Sequence, residues 1–192
     1  MPIHSDQPLK PQTIMDALNN ALSEDDIVVC DASFSSGWAA AYLKLTTAGH
    51  RFLAPRGLAG LGWGAPAAIG AALAGKKEKR IVCITGDGGF GYSVQELEAM
   101  KRFNLPVLTI VLNNNVLGWI KNVQKNYYQE NYISTDFYNI DFATVAIGFG
   151  ARGYRACHLE ELNSFLAKEK SPEGPAVIEV VTDQWESPIV GV

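Results

Sequence analysis

The sequence predicts an α/β fold: a single-domain parallel sheet of about six strands flanked by helices. Two observations lead there. Short apolar runs rich in Val and Ile alternate along the chain with segments of helical spacing. At the centre, Arg80-Ile-Val-Cys-Ile-Thr85 and Val107-Leu-Thr-Ile-Val-Leu112 both read as buried strands, and a helical segment joins them. A strand–helix–strand connection of that length makes parallel neighbours, so both strand tips lie at one carboxyl edge. That edge is where open α/β sheets bind ligands.

In chain order, Thr13–Leu22 places Ile14, Leu18 and Leu22 at helical spacing, with Pro11 acceptable in a first turn. Ile27–Asp31 is a strand ending in an acid, and Trp38–Leu43 is helical. Arg51–Leu53 is a short strand candidate, followed by the glycine-rich run Arg56–Gly64 and an Ala-rich helix from Pro66 to Leu73. After the glycine turn 86–89, Ser93–Arg102 carries Val94, Leu97 and Met100 on one face, with Ser93 and Glu96 spaced as a capping box. Val116–Val123 forms a short helix. Gln124–Tyr138 is irregular, with five aromatics (Tyr127, Tyr128, Tyr132, Phe137 and Tyr138) that either form a binding surface or pack on one another. Asp141 caps a helix that Gly148-Phe-Gly150 stops. Arg152–Ala156 and Pro175–Val181 are strands around the helix Leu159–Lys168. No repeat or linker divides the chain, so residues 1–192 read as one domain.

Bulk properties exclude several classes of function. Lys and Arg number 16 against 20 Asp and Glu, a net charge of −4 without a basic stripe, so nucleic acid is not an expected partner. No apolar run approaches membrane-spanning length. Three separated cysteines, Cys30, Cys83 and Cys157, and no hydrophobic leader point to a reducing, cytoplasmic setting. The start at Met1 favours a separate gene product over an excised domain.

The central strand tips carry the chemistry. Asp87 offers an anionic oxygen, Asn114 an amide oxygen, and the turn after it a backbone carbonyl. Such an all-oxygen set suits Mg²⁺, which keeps some waters and takes further ligands from phosphate. Glycines 86, 88 and 89 let a phosphate approach the backbone without a Cβ in the way. Taken singly, each signal also fits an ordinary strand-to-helix turn and a solvated loop.

Together, Gly86-Asp87-Gly88 and Asn113-Asn114, with Asn114 27 residues after Asp87, resemble the thiamin diphosphate signature. Gln95-Glu96-Leu97, Leu105-Pro106 and Leu117-Gly118 extend the likeness. The chain from Ile14 to Val190 resembles the C-terminal, diphosphate-binding domain of the acetolactate synthase-like branch of thiamin diphosphate enzymes. The resemblance implies thiamin diphosphate and Mg²⁺ as cofactors, with Asp87, Asn114 and the Val116 carbonyl as metal ligands. It implies that Gly86, Gly88, Gly89 and Gly118 meet the cofactor, Gly88 and Gly89 through backbone N–H groups. Ser33, Phe34 and Ser35 stand where the family carries a diphosphate-contacting loop, and where acetolactate synthases show Gly-Gln-His.

The same resemblance places Ala59 and Leu61 against the aminopyrimidine, Leu61 as the apolar wedge that bends the cofactor until it serves as its own base. A core leucine is the alternative for Leu61. Trp119, Ile120 and Val123 are implied to line the substrate side, Val123 standing where typical acetolactate synthases have tryptophan. The glutamate that activates the cofactor belongs in this family to another domain, and nothing here resembles it. His4, His50 and His158 lie outside the central region, and no nucleophilic triad is visible. The expectation is therefore half an active site: an oligomer acting on a 2-oxo acid with a pyrimidine-binding domain or subunit, and inactive without it. Alternatives are a simple 2-oxo acid decarboxylase subunit of the sulfopyruvate or benzoylformate type and a non-catalytic relic of the fold. A dinucleotide-binding domain is a further one, since Gly60-x-Gly62-x-x-Ala65 matches that fingerprint formally.

Overall fold

The computed structural model describes residues 8–46, 51–75, 78–171 and 173–188. His4, His50 and Val190 lie outside the described residues. Six strands form one sheet in which every pairing is parallel: β1 (Ile27–Cys30), β2 (Phe52–Leu53), β3 (Ile81–Gly86), β4 (Val107–Asn113), β5 (Arg152–Ala156) and β6 (Ala176–Val181). Their order is β2-β1-β3-β4-β6-β5. β3, β4 and β6 are buried along almost their whole length, which explains their unbroken apolar runs.

Eight helices lie among the described residues: α1 (Pro11–Ala21), α2 (Phe34–Tyr42), α3 (Gly64–Ala74), α4 (Asp87–Ser93), α5 (Glu96–Arg102), α6 (Gly118–Tyr127), α7 (Phe142–Gly148) and α8 (Leu159–Lys168). Ile14 and Leu18 of α1, Trp38 of α2 and Leu162 of α8 pack on one face, against Val28, Ile84, Ile110 and Ile178. Ala68 of α3, Phe90 of α4, Met100 of α5 and Phe142 of α7 pack on the other, against Cys83, Val107 and Val111. Cys30 and Cys83 are buried free thiols, and burial raises both well above the ordinary thiol range.

Several boundaries differ from expectation. The predicted helix Ser93–Arg102 is two helices, because Ser93 ends α4 and Val94-Gln95 separates it from α5. The Ser93 hydroxyl donates to the Gly89 carbonyl at 3.4 Å, so there is no capping box. The glycines after β3 are not a loop but the first turn of α4. α2 starts at Phe34, four residues before the predicted Trp38, and α6 runs on to Tyr127 into the stretch expected to be irregular. By contrast, Asp141 caps α7 as expected, accepting from the Thr144 N–H at 2.8 Å.

Strand order reverses between β1 and β3: the chain leaves β1 toward β2 on one side and leaves β3 toward β4 on the other. A crevice therefore opens at the carboxyl edge between their tips.

Candidate functional site

That crevice is a cavity of about 320 Å³. The β1–α2 turn contributes Ala32, Ser33, Phe34 and Ser35. The loop before α3 contributes Ala59 and Leu61, and the β3 tip Gly86, Asp87, Gly88 and Gly89. The β4 tip and α6 contribute Asn114, Val116, Leu117, Gly118, Trp119 and Ile120. Residues drawn from four separate stretches of sequence thus converge on one site. Val123 is not among its lining residues; it lies a turn beyond Trp119 and Ile120 on α6.

Asp87 is 6% exposed. Its Oδ1 accepts the Gly88 N–H at 2.8 Å, while the buried Oδ2 has no hydrogen-bond partner. Burial lifts the carboxyl from 3.8 to about 7, against the opposing pull of N–H groups from Gly88, Asn115 and Asn114. At the next tip, Asn113 is anchored below the site: its Nδ2 donates to Glu179 Oε1 at 2.7 Å and its Oδ1 accepts from Asn115 N–H. Asn114 Oδ1 accepts from Val116 N–H at 3.2 Å, a compact turn with Asn115 at φ 59°. Residues 135–137 hold that turn through Leu117 N–H to Thr135 O and Phe137 N–H to Asn115 O, both 2.8 Å. Position 88 is tightly packed: a Cβ there would sit 3.1 Å from the Leu117 side chain and the Phe137 ring, so both would have to give way.

Three sequence-based assignments change in detail. The Gly88 N–H is engaged by Asp87 rather than free. The Ser35 hydroxyl donates to Ala32 O at 2.7 Å, in the turn that precedes α2, so Ser35 offers the cavity no free proton. Leu61 is 38% exposed, which removes the core-leucine reading. Of the five aromatics, Tyr132 packs on Trp185 and Phe137 on the Gly88 turn, while Tyr127, Tyr128 and Tyr138 are exposed. The formal dinucleotide fingerprint also fails. It follows the edge strand β2, and β1 separates that strand from the acid at the β3 tip.

Sequence reasoning placed the segment Asp31–Trp38 on the diphosphate loop without giving Asp31 or Trp38 a role of its own, and did not assign the residues after β6, Thr182, Asp183 and Glu186; all of these but Asp31 line the cavity. An acid ending a buried strand was the available signal for Asp31. No Lys, Arg or His lines the cavity among the described residues, and three of its lining side chains are acidic.

The profile described as thiamine pyrophosphate enzyme, C-terminal TPP binding domain, matches residues 31–180, and the chain belongs to that family. Its relatives place it on the acetolactate synthase-like branch. A probable acetolactate synthase large subunit of Methanococcus aeolicus is 32% identical over 188 residues, covering 94% of this chain and 31% of the relative. The acetolactate synthase isozyme 2 large subunit of Escherichia coli is 31% identical over 175 residues, covering 91% and 32%. The mitochondrial catalytic subunit of Saccharomyces cerevisiae acetolactate synthase is 32% identical over 179 residues, covering 92% and 26%. The chain spans about a third or less of the length of these curated relatives.

Proposed function

We propose that the chain supplies the diphosphate-binding half of a thiamin diphosphate- and Mg²⁺-dependent active site, acetolactate synthase-like, acting on a 2-oxo acid. The observation that carries this reading is Asp87. A buried carboxylate oxygen with no partner, in an acidic cavity without a basic side chain, cannot hold a diphosphate directly. A divalent cation held by Asp87 would supply the positive charge that a phosphate needs there.

In this reading Asp87, the Asn114 amide oxygen and the Val116 carbonyl hold Mg²⁺, and the Gly89 backbone meets the diphosphate. When bound, thiamin diphosphate would supply a carbon nucleophile and an electron sink for 2-oxo acid chemistry. The protein's own share is placement and exclusion of water. Leu61 supports the angle between the cofactor's rings and Ala59 offers backbone polar groups to the pyrimidine. Phe34 and Trp119, with ring centroids 5.4 Å apart, and Ile120 form an apolar wall that favours loss of a carboxylate's charge. In this reading the activating glutamate comes from a pyrimidine-binding domain or subunit.

Calorimetry tests the reading. The chain binds thiamin diphosphate only with Mg²⁺ present, shows no comparable binding of NAD, and loses the Mg²⁺-dependent heat in Asp87→Ala. Unchanged binding by Asp87→Ala would refute the metal assignment.

A further inference from the structure

Asp31 ends β1 and is 1% exposed, yet no basic side chain forms an ion pair with it among the described residues. Its charge is met by four donors instead. Oδ1 accepts from Ala32 N–H at 2.7 Å and Trp63 N–H at 3.1 Å; Oδ2 accepts from Gly62 N–H and the Thr85 hydroxyl, both at 3.0 Å. Those donors belong to three segments that wall the cavity: Ala32 lines it, Gly62 and Trp63 follow the lining residue Leu61, and Thr85 precedes Gly86.

Two glycines make room for the carboxylate. A Cβ on Gly89 would overlap Asp31 Oδ2 and approach the Thr85 hydroxyl to 2.9 Å; one on Gly64 would sit 3.0 Å from the Asp31 Cβ. The loop depends on the carboxylate more than its neighbours do. Gly57 and Gly60 have open space around them and Leu58 is fully exposed. The Gly62 N–H is the hydrogen bond that ties residues 54–62 to Asp31 and the strand tips, among the described residues. The β3 tip, in contrast, is also held by its ladder to β4, with Gly86 opposite Leu112.

We infer that Asp31 is a positioning residue: its carboxylate sets the Leu61 loop at a fixed distance from the Gly86–Gly89 turn, and so matches the two ends of the cavity to the two ends of one extended ligand. The inference rests on the cofactor reading above, since it takes the ring end of the ligand to lie at Leu61 and the diphosphate end at Gly89. An asparagine presents one acceptor oxygen, and its amide nitrogen would face two donors, so the loop is released while the β3 tip stays in its ladder.

The test uses the full 192-residue chain and two probes with Mg²⁺: thiamin diphosphate, which spans both ends, and inorganic pyrophosphate, which has only one. Asp31→Asn weakens thiamin diphosphate binding by about 10- to 100-fold, as expected for one or two lost charge-assisted hydrogen bonds, and changes pyrophosphate binding less than about threefold. Thr85→Val removes one donor without touching the loop or the ladder, and weakens thiamin diphosphate about threefold with pyrophosphate unchanged. This second variant decides the matter if Asp31→Asn fails to fold. Equal losses for both probes, or no loss for either, would overturn the positioning role while leaving the cofactor reading standing. A wild-type chain that bound neither probe would overturn that reading and this inference with it.

Discussion

Replacing Asp87 by asparagine stabilises the ligand-free chain and disables it at the same stroke. The carboxyl is buried, one oxygen has no partner, and its ionisation is displaced from 3.8 to about 7. A folded-state value raised above the unfolded one leaves stability whole below pH 3.8, and loses it as pH climbs toward 7. The displacement spans about three pH units, roughly a thousandfold in the ionisation equilibrium, and costs up to roughly 4 kcal/mol above pH 7, at about 1.4 kcal/mol per tenfold change in equilibrium. The asparagine amide keeps part of the burial cost, so the net gain at pH 8 is about 2 kcal/mol, or roughly 4–8 °C in Tm for a chain of this size. At pH 4 the aspartate is neutral in the fold, and the two proteins melt together. Adding Mg²⁺ and thiamin diphosphate at pH 8 reverses the ranking, because only the aspartate chain gains from the ligand. Thermal melts across pH 4–8, with and without ligand, measure all three effects. An Asp87→Asn protein that melts lower than wild type at pH 8, or a difference independent of pH, would refute the reasoning.

Asn114→Ala reduces Mg²⁺-dependent thiamin diphosphate binding nearly as far as Asp87→Ala, read by calorimetry, since it removes the amide oxygen and the turn that accepts Val116 N–H. Leu61→Ala changes folding stability by less than about 0.5 kcal/mol, because the side chain is partly exposed, and lowers turnover of the assembled enzyme far more than cofactor affinity. The chain alone turns over no 2-oxo acid, and NMR in deuterated buffer finds C2–H exchange of bound thiamin diphosphate near the free rate until the partner is added. Gly153→Ala drives a Cβ into the Ala143 carbonyl where α7 crosses β5, and destabilises the fold by about 3 kcal/mol without altering cofactor affinity per folded molecule.

What could be read from sequence was whatever local pattern determines. Val107–Leu112 is apolar on both faces because β4 is covered on both, and Leu159–Lys168 has the same bounds in sequence and structure. The Ser93/Glu96 pattern failed because a serine ending one short helix and a glutamate opening the next give the same spacing as a cap. Ser33-Phe-Ser-Ser36 looked like a loop, yet Ser35 and Ser36 donate back to carbonyls three residues earlier and start α2. Asp31 could not be assigned, since its loop donors lie 31 and 32 residues away and Thr85 lies 54 away. Only the order β2-β1-β3 brings them together. Asp87 and Asn114 were legible because each lies directly at the end of a strand, and parallel pairing alone puts them on one edge.

The two edges of the sheet treat charge in opposite ways, and the contrast separates stability from function. At the amino edge, Arg80 donates to both Asp26 oxygens and to the carbonyls of Ala21 and Glu169, while Arg152 meets both Glu169 oxygens at 2.8 Å. Tyr154 adds a third donor to Glu169, and the guanidinium of Arg152 holds that carboxyl below its ordinary range despite burial. Every such charge is compensated inside the chain, as a folded state requires. At the carboxyl edge, Asp31 is compensated only by donors from the cavity walls, and Asp87 is left with an open oxygen. A chain able to satisfy Arg80 and Glu169 so completely is not short of means to pair Asp87. An unpaired buried carboxylate oxygen carries a folding cost that nothing inside the described chain offsets, and that uncompensated cost at Asp87 is the observation on which the proposed cation site rests.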